Sequence, residues 1–245
     1  MKRQEIQIRE TAATVIAEEA FIPLAEAEIS RQRSLIEEFI RQDPQFRTSL
    51  EPYPVSSDAP AIVRRMAGAA SRAGVGPMAA VAGAIAEFAL NAMIRAGAAH
   101  AIVDNGGDIA MRLSRPATVG IFAGPAKIRN IGLRFQPRPG IVGVCTSSGT
   151  VGHSLSFGRA DAATVIAGDV CLADAVATAL GNAVREKNSA QIEEALNRFL
   201  IDGVEGLLVI IDDLFAIAGR LPEIVEIPVD PGKISKGTMK GEIEK

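Results

Sequence analysis

The stretch Met78-Ala-Ala-Val-Ala-Gly-Ala-Ile-Ala-Glu-Phe-Ala-Leu90, continuing to about Arg95, is built almost wholly of alanine, glycine and a few larger apolar residues. Small side chains let a second backbone come close, so this segment predicts a helix buried in the middle of a fold rather than one lying on its surface. Gly97 is placed to cap its end. Directly afterwards the pattern changes to short β-like runs separated by Gly and Pro: Ala99–Val103, Ile109–Leu113, Thr118–Phe122, Ile131–Phe135 and Ile141–Cys145. They predict an antiparallel meander, and a buried helix against such strands is an α+β arrangement.

The flanks fit one fold of this class. Ile6 and Ile8, then Val15 and Ala17, alternate on either side of Glu10-Thr11-Ala12 and predict a hairpin. From Pro23 to about Gln42, Leu24, Ile29, Leu35, Ile36, Phe39 and Ile40 recur at helical spacing between charges, up to the loop through Pro52 and Pro54. Asp58 is expected to cap the next helix, with Pro60 in its first turn and Gly74-Val75-Gly76-Pro77 closing it. Beyond a Gly-rich stretch, Thr146–Gly158, come a strand at Ala163–Gly168, a helix from Asp169 to about Arg185 and a second helix at Ser189–Leu200. A hairpin of Val204–Ile211 and Leu214–Ala218 around Asp212-Asp213 follows, then a strand at Ile224–Val229. Residues 1–232 are expected to form a single domain, and 233–245, polar from Lys233 onward, a disordered tail.

Composition excludes several functions. A formal net charge of −3 without a Lys/Arg cluster argues against a nucleic-acid surface, and the absence of Trp with a single Tyr leaves few platforms for stacking bases. No uninterrupted apolar run reaches the roughly 18 residues of a membrane span, and Met1-Lys2-Arg3-Gln4-Glu5-Ile6 has no apolar segment of a secretory signal behind it. No membrane partner and a cytoplasmic location are therefore expected. Cys145 and Cys171, with His100 and His153 as the only histidines, lack zinc-site spacing and are expected to be buried thiols.

Five groups of residues carry possible chemistry. Asp174 and Thr178 are four apart, share a helix face and offer hard oxygen ligands for Mg²⁺ or Ca²⁺. The plainer alternative is a carboxylate near a helix start and a hydroxyl bonded back to a carbonyl. Asn105-Gly106-Gly107-Asp108 joins two predicted strands, so it is either simple hairpin chemistry or a place where a ligand meets the backbone. The stretch from Ser147 to Gly158 offers backbone N–H groups to a phosphate but has neither a Walker lysine nor a dinucleotide fingerprint. His153 beside Ser154 suggests a serine hydrolase, yet the Gly-x-Ser-x-Gly elbow is missing. Asp161 is either a general base or a solvated loop carboxylate.

Taken in order, Ile102-Val-Asp-Asn-Gly-Gly-Asp-Ile109, Thr146-Ser-Ser-Gly149, His153, Val165-Ile-Ala167 and Ala173-Asp-Ala-Val-Ala-Thr-Ala-Leu180 resemble the ApbE family of flavin transferases. The resemblance covers roughly Gly74 to Leu180 and implies a single ApbE-like α+β domain with an antiparallel sheet and packed helices. It also implies an activity: these enzymes take FAD and, with a divalent metal such as Mg²⁺, move its FMN part onto a threonine hydroxyl of an acceptor protein. Carried over residue by residue, it makes Asp174 and Thr178 metal ligands. Asn105, Gly106, Gly107 and Asp108 would line the flavin pocket, with Ser147, Ser148 and Gly149 contributing to cofactor binding and His153 at the reacting diphosphate. The family follows its histidine with Ile-Ile-Asp-Pro-x-Thr-Gly where this chain has His153-Ser-Leu-Ser-Phe-Gly158, and Asp161 is the nearby candidate for the absent carboxylate. The family's Lys-Gly near the central helix is not visible around Met78. The expected function is metal-dependent binding of FAD, FMN or a related nucleotide diphosphate, with FMN transfer or FAD hydrolysis. The alternative is a non-catalytic binding or interaction module on the same fold.

Overall fold

The computed structural model describes residues 1–150 and 158–228. Position 153 and the proposed tail at 233–245 therefore lie outside the described residues. Strands β1 (Lys2–Ile8) and β2 (Thr11–Ala17) form the expected hairpin, followed by α1 (Ile22–Gln42), a short α2 (Gln45–Thr48) and α3 (Ala61–Ala73). A 3-10 turn at Pro77–Ala80 leads into α4 (Val81–Arg95). Its end is a full Schellman closure: Gly97 has φ +102°, its N–H donates to Ile94, and the Ala98 N–H donates to Met93. Then come β3 (Ala101–Asn105), β4 (Asp108–Leu113), β5 (Ala117–Ile121), β6 (Ile131–Phe135), β7 (Arg138–Ser147), β8 (Ala162–Ala167), α5 (Val170–Ala183), α6 (Ser189–Phe199), β9 (Val204–Ile211), β10 (Leu214–Gly219) and β11 (Glu223–Glu226).

Two expectations are corrected. Asp58 does not cap α3; it accepts a hydrogen bond from the Ser56 hydroxyl, and Pro60 stands at the N-cap position without a side-chain cap. Arg64, one turn in, instead donates to the carbonyls of Ser57 and Ala59. The five central runs are not one meander either. β7 returns beside β4 in an antiparallel eight-stranded sheet of order β1-β2-β3-β4-β7-β8-β9-β10, while β5 and β6 leave to form a second sheet, β11-β6-β5. The reason is two-sided burial. One face of the large sheet carries Val15, Val103, Ala110, Cys145 and Val165 into a core shared with the helices, and the other carries Met111, Val142, Ile166 and Leu208. That second apolar face needs its own cover, which Val119, Ile121, Leu133 and Phe135 of the small sheet provide.

By length and hydropathy the helical segment Pro77–Arg95 would suffice to cross a bilayer. Here it is a core helix, packed against α1, α3, α5, β3 and β4.

Candidate functional site

The register of the large sheet sets out the first half of the site. Asn105 pairs with Asp108, Asp108 with Cys145 and Cys145 with Val165, so these side chains form one row on the face beneath the helices. Gly106 and Gly107, both at positive φ (73° and 101°), make the two-residue turn that closes the Asn105–Asp108 pair. Asp104 holds the turn from the other face, accepting from the Gly107 N–H at 2.9 Å. Asn105 is buried, and its amide donates to the Ala82 carbonyl at 3.0 Å, tying the hairpin to α4.

The second half comes from α4 and α5, which run antiparallel with a contact every turn. The Thr178 hydroxyl lies 3.5 Å from the Ala79 carbonyl, the Gly83 N–H donates to Asp174 Oδ2 at 2.7 Å, and Glu87 accepts from the N–H groups of Val170 and Cys171 at 2.9 and 3.3 Å. The four-residue steps 79/83/87 and 170/174/178 are ridges of one helix meeting ridges of the other. Glycine is required at the middle step, because a Cβ on residue 83 would stand 2.7 Å from both Asp174 Cβ and the Val170 carbonyl oxygen.

The two halves meet at a pair of carboxyls. Burial pushes the Asp174 carboxyl up to about 7, against the pull of the Gly83 and Ala82 amides. Burial also raises Asp108 well above the usual carboxylate range, and the charge of Asp174 adds to it, while a hydrogen bond from the Cys145 thiol acts in the opposite sense. Cys145 and Cys171 are both buried, as expected, and burial raises both thiols further. Two carboxyls whose charges oppose each other, one buried and one partly buried, with a hydroxyl one helical turn from Asp174, are hard-oxygen groups of the kind that could hold a divalent cation. Among the described residues no three His, Cys, Asp or Glu side chains stand together as a metal cluster, so carbonyl, hydroxyl or substrate oxygens would have to complete the coordination.

Ser147 reaches the same helix from the loop side, with Ser148 and Gly149 following it in the loop. The Gly149 N–H donates to Ala160 at 2.9 Å and Ser148 Oγ accepts from the Thr150 N–H at 3.1 Å. Contact with α5 is through glycines: a Cβ on Gly181 would lie 3.3 Å from Ser147 Oγ, and one on Gly158 would collide with the Gly181 carbonyl. Asp161 is buried at the entry to β8, on the side of the β9–β10 hairpin. Its Oδ1 accepts from the Thr150 hydroxyl at 2.8 Å and its Oδ2 from the Asp212 N–H at 2.7 Å. It thus joins the loop to the hairpin, and neither oxygen is without a partner.

The structure therefore brings Asn105, Asp108 and Asp174 together, with Thr178 one turn along α5 from Asp174, Ser147 against the end of α5 and Asp161 apart from them toward β9. Residues 2–200 match the family model described as "AbpE bacteria". The chain belongs to that family. Similar proteins are named "UPF0280 protein": that of Methanocella arvoryzae is 53% identical over 238 residues, covering 96% of each chain, and that of Methanosarcina acetivorans is 47% identical over 236 residues, covering 96% of this chain and 93% of its own. Among solved structures, the apo form of the Pseudomonas stutzeri flavinyl transferase ApbE aligns over 89% of this chain and 94% of its own, with a TM-score of 0.51 at 15% identity. That likeness establishes the α+β ApbE fold. No role at the site was expected for Ala79 of the 3-10 turn or for Ala82, Gly83 and Glu87 of α4, all of which hold it. The available sequence cue was the four-residue spacing of 79, 83 and 87 in a helix too small-chained to be a surface helix.

Proposed function

We propose that the chain binds a flavin dinucleotide with its diphosphate at Asp174, Asp108 and Thr178, and transfers the FMN part to an acceptor hydroxyl with the help of Mg²⁺. The observation that carries this reading is the pairing of buried Asp174 with partly buried Asp108, held from three elements in a fold shared with a flavinyl transferase. Asp174, Asp108 and Thr178 would hold the cation, which would supply neutralising charge to the diphosphate. The chain's own groups do the positioning. The Gly83 N–H fixes Asp174 Oδ2, and the Asn105 amide fixes the glycine turn against α4. In the transfer, the acceptor oxygen forms a bond to the phosphorus of the FMN half, the bond to the AMP phosphate breaks, and the acceptor proton passes to a base.

A second reading has a specific observation behind it. The segment after His153 lacks the family's Asp-Pro, and Asp161, the nearest other carboxylate in sequence, spends both oxygens on Thr150 and Asp212. A binding module that keeps the pocket without turnover accounts for both. Calorimetric titration with FAD, with and without Mg²⁺, followed by an assay for AMP release, separates the two. Mg²⁺-dependent binding with AMP release supports transfer or hydrolysis, binding alone supports the module, and no binding of FAD overturns the flavin reading. If AMP is released, His153→Ala is expected to slow it by about 10² or more, whereas Asp161→Ala is expected to lower stability more than rate.

A further inference from the structure

The two edges of the large sheet differ in how they meet solvent. The β1 edge, Lys-Arg-Gln-Glu-Ile-Gln-Ile, carries three charged side chains, and Lys2 is paired with Glu19. Such charges discourage another strand from adding on. The β10 edge, Leu-Phe-Ala-Ile-Ala-Gly, has no charge and no proline, pairs among the described residues with β9 alone, and leaves Ile217 49% exposed. Leu200, at the end of α6, lies against the end of this strand, where a Cβ on Gly219 would be 2.8 Å from its Cδ1. Leu200 and Ile217 are two of the six large hydrophobic residues exposed among the described residues. An undefended apolar edge of this kind is a template for another strand.

We propose that β10 is the interface of a homodimer in which two copies pair antiparallel, edge to edge, and join their large sheets into one. A second copy fits this edge better than an unrelated strand, because the edge is complementary to itself. With no charged residue between Leu214 and Gly219, self-pairing sets no like charges opposite one another. A two-fold axis at Ala216 keeps the faces of both sheets in register and sets Phe215 opposite the partner copy's Ile217, twice, which covers the exposed isoleucine. In a two-residue hairpin the closing pair Ile211–Leu214 directs its hydrogen bonds inward, so the groups of Phe215 and Ile217 face outward, as this register requires.

Sedimentation velocity on the full chain tests this. Wild type is expected at twice 25.7 kDa. Ile217→Lys, at an exposed position, is expected to raise the dimer dissociation constant by about tenfold or more, while Leu24→Lys, exposed on α1, leaves it unchanged. Ala216→Cys adds a readout that does not depend on the lysine variant folding. On the axis it faces its own copy in a non-hydrogen-bonded pair, with Cα atoms about 4.5 Å apart, within disulfide reach. The buried native thiols do not compete. Mild oxidation is expected to give a covalent dimer. A monomeric wild type, a dimer unmoved by Ile217→Lys, or an Ala216→Cys chain that does not cross-link overturns the proposal.

Discussion

Gly83 and Asp174 determine the site jointly. A methyl group on residue 83 has no room, because 2.7 Å to a carbonyl oxygen and to Asp174 Cβ can be relieved only by moving α5 off α4. Gly83→Ala is therefore expected to cost about 1–3 kcal/mol in urea unfolding, as overpacking of a close contact does. It should also weaken Mg²⁺-dependent FAD binding, since the same displacement lengthens the Gly83–Asp174 bond; unchanged stability would mean that the helices are not in this contact. Asp174 also makes stability depend on pH. Burial pushes its carboxyl up to about 7 in the fold against an ordinary 3.8, so over that interval the folded chain holds a proton that the unfolded chain has released. The contribution is fully present below about pH 4 and is lost as pH rises through about 7, and the raised Asp108 acts in the same direction. Wild type should thus lose stability between pH 5 and pH 8. Asp174→Asn keeps an acceptor for Gly83 but cannot ionise, so it should flatten that slope and be the more stable protein at pH 8, by on the order of a few kcal/mol. Denaturation curves at several pH values check the sign, and a wild-type curve that rises from pH 5 to 8 while the variant's does not would reverse the assignment.

At the scale of elements, the N-terminus of α5 is fixed by a clasp of three helices. Glu87 of α4 accepts from the first two N–H groups of α5, where a carboxylate also meets the positive end of the helix dipole, and Arg65 of α3 bonds both Glu87 and Asp169. Asp169 caps the helix itself through the Leu172 N–H. Glu87→Ala leaves those N–H groups without their acceptor and is expected to cost about 1–3 kcal/mol, with faster amide exchange at Val170 and Cys171. Arg65→Ala should cost less, because Arg65 is partly exposed. Much of this level was legible in the sequence: small residues marked α4 as buried, the glycine pair marked the β3–β4 turn, and the spacing of Asp174 and Thr178 placed both on one face. Two things were not. Alternating apolar residues in β5 and β6 say that each strand has a buried face but not which sheet it joins, because that depends on the second apolar face of a sheet not yet assembled. The helix register was hidden too, since Glu87 and Gly83 acquire roles only once α5, some 90 residues later, lies alongside. Asp161 shows the same limit from the other side: as a carboxylate near a histidine it suggests a base, and only the folded hairpin supplies the Asp212 N–H that occupies it.

Across the whole molecule, the candidate site lies where α4, α5, the β3–β4 hairpin and β7 converge, so a ligand held there contacts elements from distant parts of the sequence. Only the folded chain assembles Asp108, Asp174 and Thr178, and a ligand that needs all three stabilises the fold by mass action. At a hundred times its dissociation constant, FAD with Mg²⁺ is expected to add about 2.7 kcal/mol. In a chain of this size that raises the melting temperature by about 5–11 °C. Mg²⁺ alone should act in the same direction and more strongly at pH 8 than at pH 5, because at the lower pH the two carboxyls hold protons that the cation must displace. Asp174→Asn should abolish the Mg²⁺ increment while leaving the melting temperature without ligand at or above the wild-type value at pH 8. Thermal melts of both proteins with FAD, Mg²⁺, both and neither test all of this in one experiment. A Mg²⁺ increment that survives in the variant would place the cation elsewhere in the chain, and an FAD increment of equal size without Mg²⁺ would mean that the flavin does not need the Asp108–Asp174 pair.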